Sequence, residues 1–284
     1  MRFSTISLGA LMLAATATPA FADDAPTAPP PAFTINGTAT VVSDYRFRGV
    51  SQTDKNVAIQ GSITITHESG LYVSVWGSSV DSYVTASLAG HQEVDIIAGY
   101  SKTFSGTKID GGVLYYVYPK TKGPLTALTG YPDNTSSNFF EPYFDISHTF
   151  GPVTAKATVN YAWKQKALGL SQGQPLPVGP GGALVADTKQ DNVYLAGDFS
   201  AAIPKTPVTL TAHIGHTWGP SWLATDATGS KEYTDWNLGA TYTYKVLTFG
   251  ISYVDTDADF RDPLTTGPGK ISNAGVVGTI GVSF

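Results

Sequence analysis

The sequence predicts an all-β fold, a transmembrane antiparallel up-and-down β-barrel of about 12 strands with short periplasmic turns and long extracellular loops. Three observations predict it. Segments of about 10–13 residues alternate apolar with polar or small side chains, the period-two pattern of a strand with one greasy face. The connections between these segments alternate short and long. The last segment places Val276, Gly278, Ile280, Val282 and Phe284 on one face and ends at Phe284, resembling the terminal signal read by the machinery that assembles outer-membrane barrels. In lipid every backbone N–H and C=O must bond within the protein, so a spanning sheet has to close on itself. A soluble double sheet would also alternate, but nothing would make its turns strictly long and short.

Taken in order, residues 1–22 read as a secretory signal peptide. Arg2 is the charged start, Ile6 to Ala15 the short apolar stretch, and Ala20-Phe21-Ala22 the small-x-small cleavage pattern. The apolar run falls short of the roughly 20 residues that a spanning helix needs. Residues 23–32 form a Pro-rich lead-in, with Pro26, Pro29, Pro30 and Pro31. Residues 33–284 are the expected barrel, with strands at 33–45, 56–67, 71–81, 91–103, 107–118, 138–150, 152–164, 189–201, 207–218, 232–244, 246–256 and 271–284.

The alternation is clearest in four of these. Val57, Ile59, Ile63 and Ile65 interleave with Gln60, Ser62 and Thr64. Ile109, Val113, Tyr115 and Val117 interleave with Asp110, Leu114, Tyr116 and Tyr118. Val153, Ala155, Val159, Tyr161 and Trp163 interleave with Thr154, Lys156, Asn160 and Lys164. Trp236, Leu238, Tyr242 and Tyr244 interleave with Asp235, Asn237, Thr241 and Thr243. Tight turns follow every second strand, at Ser69-Gly70, Ser105-Gly106, Gly151, Pro204-Lys205-Thr206 and Lys245. The intervening connections are long and rich in Gly, Pro, Asp and Ser, as at 119–137, 165–188, 219–231 and 256–270. An even strand number puts both ends of the barrel on the periplasmic side.

One face of each strand is Val, Ile, Leu, Ala, Gly and aromatics. Phe139, Phe140, Tyr161, Trp163, Tyr242, Tyr244 and Phe284 near strand ends fit interfacial girdles, although aromatics also favour strands in general. The other face carries the charge. A charge facing mid-bilayer lipid would cost on the order of 2–4 kcal/mol, so Asp44, Glu93, Asp95, Asp110, Glu141, Asp145, Asp198 and Asp235 are expected to point inward. Lys156 and Lys164 oppose them, with Arg46 and Arg48 at the top of the first strand. Those charges either pair and plug the lumen or line a wet channel whose negative field favours cations. Tyr116, Tyr118, Tyr143 and Tyr194 on the same face narrow it.

Other chemistry finds little support. Cysteine is absent, which excludes disulfides and thiolate catalysis. No basic stripe points to nucleic acid. His213 and His216 lie three apart and so face opposite sides of a strand, and no phosphate loop, dinucleotide fingerprint or nucleophile elbow is present. Asp255, Asp257 and Asp259 resemble a calcium-loop fragment without its Gly and closing Glu, and read better as an exposed acidic loop. No metal, cofactor or enzymatic activity is expected.

Asp44-Tyr45-Arg46-Phe47-Arg48-Gly49-Val50-Ser51-Gln52-Thr53, with Gln60-Gly61-Ser62, Gly70-Leu71-Tyr72-Val73-Ser74-Val75-Trp76-Gly77-Ser78, Glu93-Val94-Asp95 and Ala98-Gly99-Tyr100, resembles the proteobacterial TorF family of porins, first described as a conserved family of unknown function. The motifs cover about the first third of the barrel; the rest resembles the family only in architecture. The resemblance implies an outer-membrane barrel and a pore, and supplies no catalytic residues. In the first motif Tyr45 and Phe47 are expected at the interface, Arg46 and Arg48 paired with acids such as Asp44 or Glu93, and Gly49 in a turn.

The expectation is a porin-like channel of a Gram-negative outer membrane. It passes small hydrophilic solutes with weak cation preference, and its partners are outer-membrane lipid and the barrel assembly machinery. A non-conducting structural or ligand-binding barrel is the alternative.

Overall fold

A computed structural model describes residues 31–85, 90–119, 138–165, 167–168, 191–219, 232–260 and 270–284. The leader, most of the lead-in and most of the four longest connections lie outside the described residues. The barrel strands are β1 (Phe33–Val42), β4 (Ala58–His67), β5 (Leu71–Ser79), β6 (Gln92–Phe104), β7 (Thr107–Val117), β8 (Phe139–Phe150), β9 (Val153–Ala162), β10 (Asn192–Ala202), β11 (Val208–Trp218), β12 (Tyr233–Tyr244), β13 (Leu247–Thr256) and β14 (Gly275–Ser283). Two short strands, β2 (Arg46–Phe47) and β3 (Val50–Ser51), pair only with each other, and a single helical turn, α1 (Ser82–Thr85), follows β5.

The twelve long strands form one closed antiparallel barrel, each bonded to its sequence neighbours. β14 closes the ring against β1, with Thr38 opposite Ser283 and Val42 opposite Thr279. Every backbone ladder is therefore paired within the wall, as a lipid-facing sheet requires. The expected tight turns join β4 to β5, β6 to β7, β8 to β9, β10 to β11 and β12 to β13 at one rim. The start of β1 and the end of β14 share that rim. No described helix is long and apolar enough to cross a membrane.

The burial pattern is the reverse of a soluble protein's. Ile59, Ile63, Leu238, Ile251, Val276 and Ile280 are exposed on the outer wall, whereas Glu93, Asp95, Asp110, Glu141 and Asp235 are buried inside. Hydrocarbon outside and polar matter inside select alternate residues of each strand independently, so the alternation survives in every strand. Outer aromatics gather at both rims. Tyr115, Phe140 and Trp163 stack at the loop rim, with ring centroids 4.2 and 6.0 Å apart, and Phe33, Phe104, Phe150 and Tyr244 are exposed at the turn rim.

Five expectations need correction. Tyr45 and Phe47 do not sit at the membrane interface: both are buried inside the barrel, Tyr45 against Trp76 and Phe47 against Tyr116, because the segment carrying them turns into the lumen. β1 stops at Val42 instead of running to 45, and β14 begins at Gly275 instead of 271. Phe139 does not join the girdle: it points inward, 1% exposed, and stacks on Tyr116. Lys164 does not face the lumenal acids; it lies past the end of β9 and is exposed.

A cross-wall row braces the lumen. Tyr72, Gly99, Gly112 and Tyr143 lie in register across β5 to β8. Tyr143 donates its hydroxyl to that of Tyr72 above the two glycines, and Tyr72 donates in turn to Asp110 at 2.7 Å. A Cβ on Gly112 would come within 2.5 Å of the Ala98 carbonyl oxygen and 2.9 Å of the Tyr143 hydroxyl. Gly112→Val is therefore expected to destabilise the barrel by about 1–3 kcal/mol. The check is the urea midpoint of its heat-modifiable gel mobility, and a wild-type midpoint would contradict the row's role.

Candidate functional site

Between Val42 and Ala58 the chain turns into the barrel. β2 and β3 pair as Arg46 with Ser51 and Phe47 with Val50, so that Arg48–Gly49 is a two-residue tip. Both tip residues have positive φ, 46° and 81°, matching a type I′ turn. Gly49 adopts this freely. Arg48 does not, and an arginine held in the left-handed region points to surroundings that fix it there.

Those surroundings begin at the hairpin's base. Arg46 Nε meets Asp44 at 2.5 Å, and its Nη1 donates to the carbonyls of Gly49 at 3.0 Å and Asn273 at 2.8 Å. The Ser51 hydroxyl donates to Asp44 at 2.6 Å, and the Ser51 amide donates to the Ile271 carbonyl at 2.8 Å. On the opposite flank the Tyr83 hydroxyl of α1 donates to the Ser51 carbonyl at 2.5 Å. Tyr45 packs its ring 5.5 Å from Trp76 and donates its hydroxyl to Glu93 at 3.2 Å. Burial, with Glu93 beside it, holds the Tyr45 phenol well above its ordinary range, so it remains a neutral donor.

The tip reaches the far wall. Arg48 Nη2 meets Glu141 of β8 at 2.7 Å, and Nη1 donates to the Asn192 Oδ1 of β10 at 3.2 Å. Its guanidinium lies 4.1 Å from the ring centroid of Tyr194 and 4.8 Å from that of Phe47. Gly49 abuts Asp235 of β12 and Thr256 of β13. β10 is separated from β1 by β14, β13, β12 and β11 in the ring, so the hairpin crosses the lumen from one wall to the opposite one. Burial alone disfavours charge on Arg48. Glu141 more than offsets it, and the guanidinium stays protonated.

The structure brings the expected site residues together in two tiers. The upper tier holds Asp44, Arg46 and Arg48 in the hairpin, with Glu93, Asp95 and Glu141 around it. Arg46 takes the expected partner Asp44, but Arg48 pairs with Glu141 and not with Glu93. The Tyr116 hydroxyl and the Asn160 amide steady the second Glu141 oxygen at 3.0 and 3.1 Å. Asp95 is fully buried, and neither carboxylate oxygen has a partner among the described residues. The lower tier runs from β7 to β12. Lys108 meets Asp110 at 2.9 Å, Asp145 follows on β8, and Lys156 meets Asp198 at 2.8 Å. His213 bridges Asp198 and Asp235 at 2.7 and 3.1 Å. His216 faces the other side of β11, bonded to Thr234.

Lys108, Asn160, Asn192 and His213 escaped the sequence reading as lumenal partners. Lys108 shares its parity with Asp110, which was signal enough. The role of Asn192 depends on contact with a residue 144 positions away, which leaves no local trace.

The arrangement is a polar lumen crossed by an arginine-tipped hairpin, with more acid than base around the tip. Comparisons with known proteins find one family and several barrels of similar fold. A family model described as "Bacterial protein of unknown function (Gcw_chp)" matches residues 25–284. Among solved structures, the NanC porin in a rhombohedral crystal form aligns with TM-score 0.51 and 13% identity, over 88% of this chain and 99% of that one. The Pseudomonas putida toluene transporter TodX aligns with TM-score 0.43 and 9% identity, over 90% and 89%. No curated protein sequence matches the chain.

Proposed function

The chain belongs to this bacterial family of unknown function, and from that premise we propose that it is a porin-like outer-membrane channel for passive diffusion of small hydrophilic solutes, weakly preferring cations. One observation carries the reading: the closed barrel has a lipid-compatible outer wall and a lumen rich in carboxylates. The resemblance of its first-loop motif to TorF-family porins and the leader-like residues 1–22 support the same address. Asp44, Asp110, Glu141, Asp145, Asp198 and Asp235 outnumber Arg46, Arg48, Lys108, Lys156 and the bridging His213 by one, which leaves a slight negative excess along the path.

The wall-to-wall hairpin favours a second reading, a barrel that conducts nothing while the hairpin is docked. Planar bilayers separate the two. The channel reading expects conductance steps from the purified protein and a reversal potential displaced toward cations in a salt gradient. Asp198→Asn, which removes a carboxylate held ionised by Lys156 and His213, is expected to reduce that displacement by about half or more. Absence of steps above background removes the open-channel reading, and steps without cation preference remove the acidic-lumen argument.

A further inference from the structure

Arg48 occupies a socket whose parts are held in place without it. The Glu141 carboxylate, 1% exposed, is fixed by Tyr116 and Asn160. The Asn192 amide is fixed by donating to Thr217 at 2.9 Å. Tyr194 is fixed through its hydroxyl, which donates to Asp235 at 3.0 Å and bonds His213 at 2.9 Å. Two separate acceptors meet two different guanidinium nitrogens, and an aromatic ring covers the planar face. This is the recognition set of a guanidinium, a planar fork over a π-surface; a compact ammonium would use only part of it. The neighbourhood also holds a polar group that the hairpin leaves unanswered. Asp95 lies in register between Trp76 and Tyr116, the residue that orients Glu141, and it is fully buried without a partner for either oxygen among the described residues.

We propose that this socket is a subsite for the guanidinium group of a passing solute, and that Arg48 is its resident stand-in. The hairpin's base is tied at Asp44, Asn273, Ile271 and Tyr83, so exchange requires only that the Arg48 side chain swing aside while the hairpin stays docked. A solute guanidinium then bonds Glu141 and Asn192 and stacks on Tyr194. This deepens the channel reading by naming a solute class, guanidinium compounds, and it rests on that reading for its physiological meaning. The socket itself can be tested without it.

The test is calorimetric titration of the folded, detergent-solubilised barrel with N-methylguanidinium, with N-methylurea as its uncharged isostere. Arg48→Ala empties the socket and is expected to bind N-methylguanidinium about tenfold or more tighter than wild type, because the resident competitor is gone. Adding Glu141→Gln to that variant is expected to weaken binding by about tenfold or more, the loss of one charge-assisted bond. N-methylurea is expected to give no heat with any form. Heat-modifiable mobility confirms that each variant is folded; if the double variant fails to fold, Arg48→Ala with Asn192→Ala replaces it, with the same expected weakening. Equal binding by wild type and Arg48→Ala, or equal binding of the urea, overturns the proposal. In bilayers the same compound is expected to block Arg48→Ala current at lower concentration than wild-type current. Calorimetric binding without any conductance leaves the socket standing and removes the channel reading. Conductance without selective binding does the reverse.

Discussion

Replacing residues 43–57 with Asn-Gly is expected to raise single-channel conductance about threefold or more. The excision is geometrically mild, because Val42 and Ala58 are direct antiparallel partners and a two-residue Asn-Gly loop closes such a pair. The barrel wall keeps all of its ladders. The lumen loses a two-stranded ribbon that runs from β1 and β4 to β10 and whose Val50, Ser51 and Gln52 are completely buried. Strands in a ribbon lie about 4.8 Å apart before side chains are counted, which is a large share of a 12-strand lumen. Cation preference is expected to rise in parallel, since Arg46, Arg48 and Lys55 leave together with only Asp44 and Asp54. Silent wild type with a conducting variant makes the hairpin a plug; a higher conductance in the variant makes it a constriction. Equal conductance in both would mean that solutes never pass the hairpin, and the site assignment would fall.

Why the strands were legible and the hairpin was not follows from how each is selected. Lipid and lumen impose their demand on every alternate residue, so Val57 to Ile65 and Trp236 to Tyr244 declare their outer faces without help from the rest of the chain. The same logic assigns Phe139 correctly once parity is respected. It shares the inward parity of Glu141, and adjacent residues of one strand cannot both join an outer girdle. Parity stops being informative past a strand end, which is why Lys164, beyond Ala162, was misplaced. Residues 44–48 also alternate, aromatic with charged, so they read as the top of the first strand, with Gly49 turning the chain into a loop. What turns them inward is contact with Glu93, Glu141 and Asn192, which lie 48, 93 and 144 positions away from their partners. One local sign was present. Tyr45 and Phe47 on one face and Asp44, Arg46 and Arg48 on the other leave no wholly aliphatic face for mid-bilayer lipid, and Gly49 supplies the reversal.

Deleting Phe284 is expected to lower the amount of assembled barrel by about tenfold while leaving the conductance of each assembled pore unchanged. The β1–β14 seam is the shortest in the ring, with pairing from Thr38 to Val42, against Phe33 to Val42 on the β4 side of the same strand. Phe284 extends that seam by one exchanged pair. Its amide donates to the Gly37 carbonyl at 3.0 Å and its carbonyl accepts from the Gly37 amide at 2.8 Å. Its ring lies over Gly37, where a Cβ would come within 2.5 Å of the ring edge. Two backbone bonds of about 0.5–1.5 kcal/mol each, lost at the closing step, shift the open-to-closed equilibrium of the wall by on the order of tenfold. Phe284→Ala separates backbone from ring: it keeps both bonds and is expected to fall between wild type and deletion. Gly37→Val attacks the same contact from the other strand and is expected to mimic the ring loss. The readouts are the heat-modifiable fraction in isolated outer membranes and the unitary conductance in bilayers. Unchanged membrane levels on deletion would show that the seam closes without this pair. A changed unitary conductance would place Phe284 on the permeation path, against its exposed position at the turn rim, far from the hairpin.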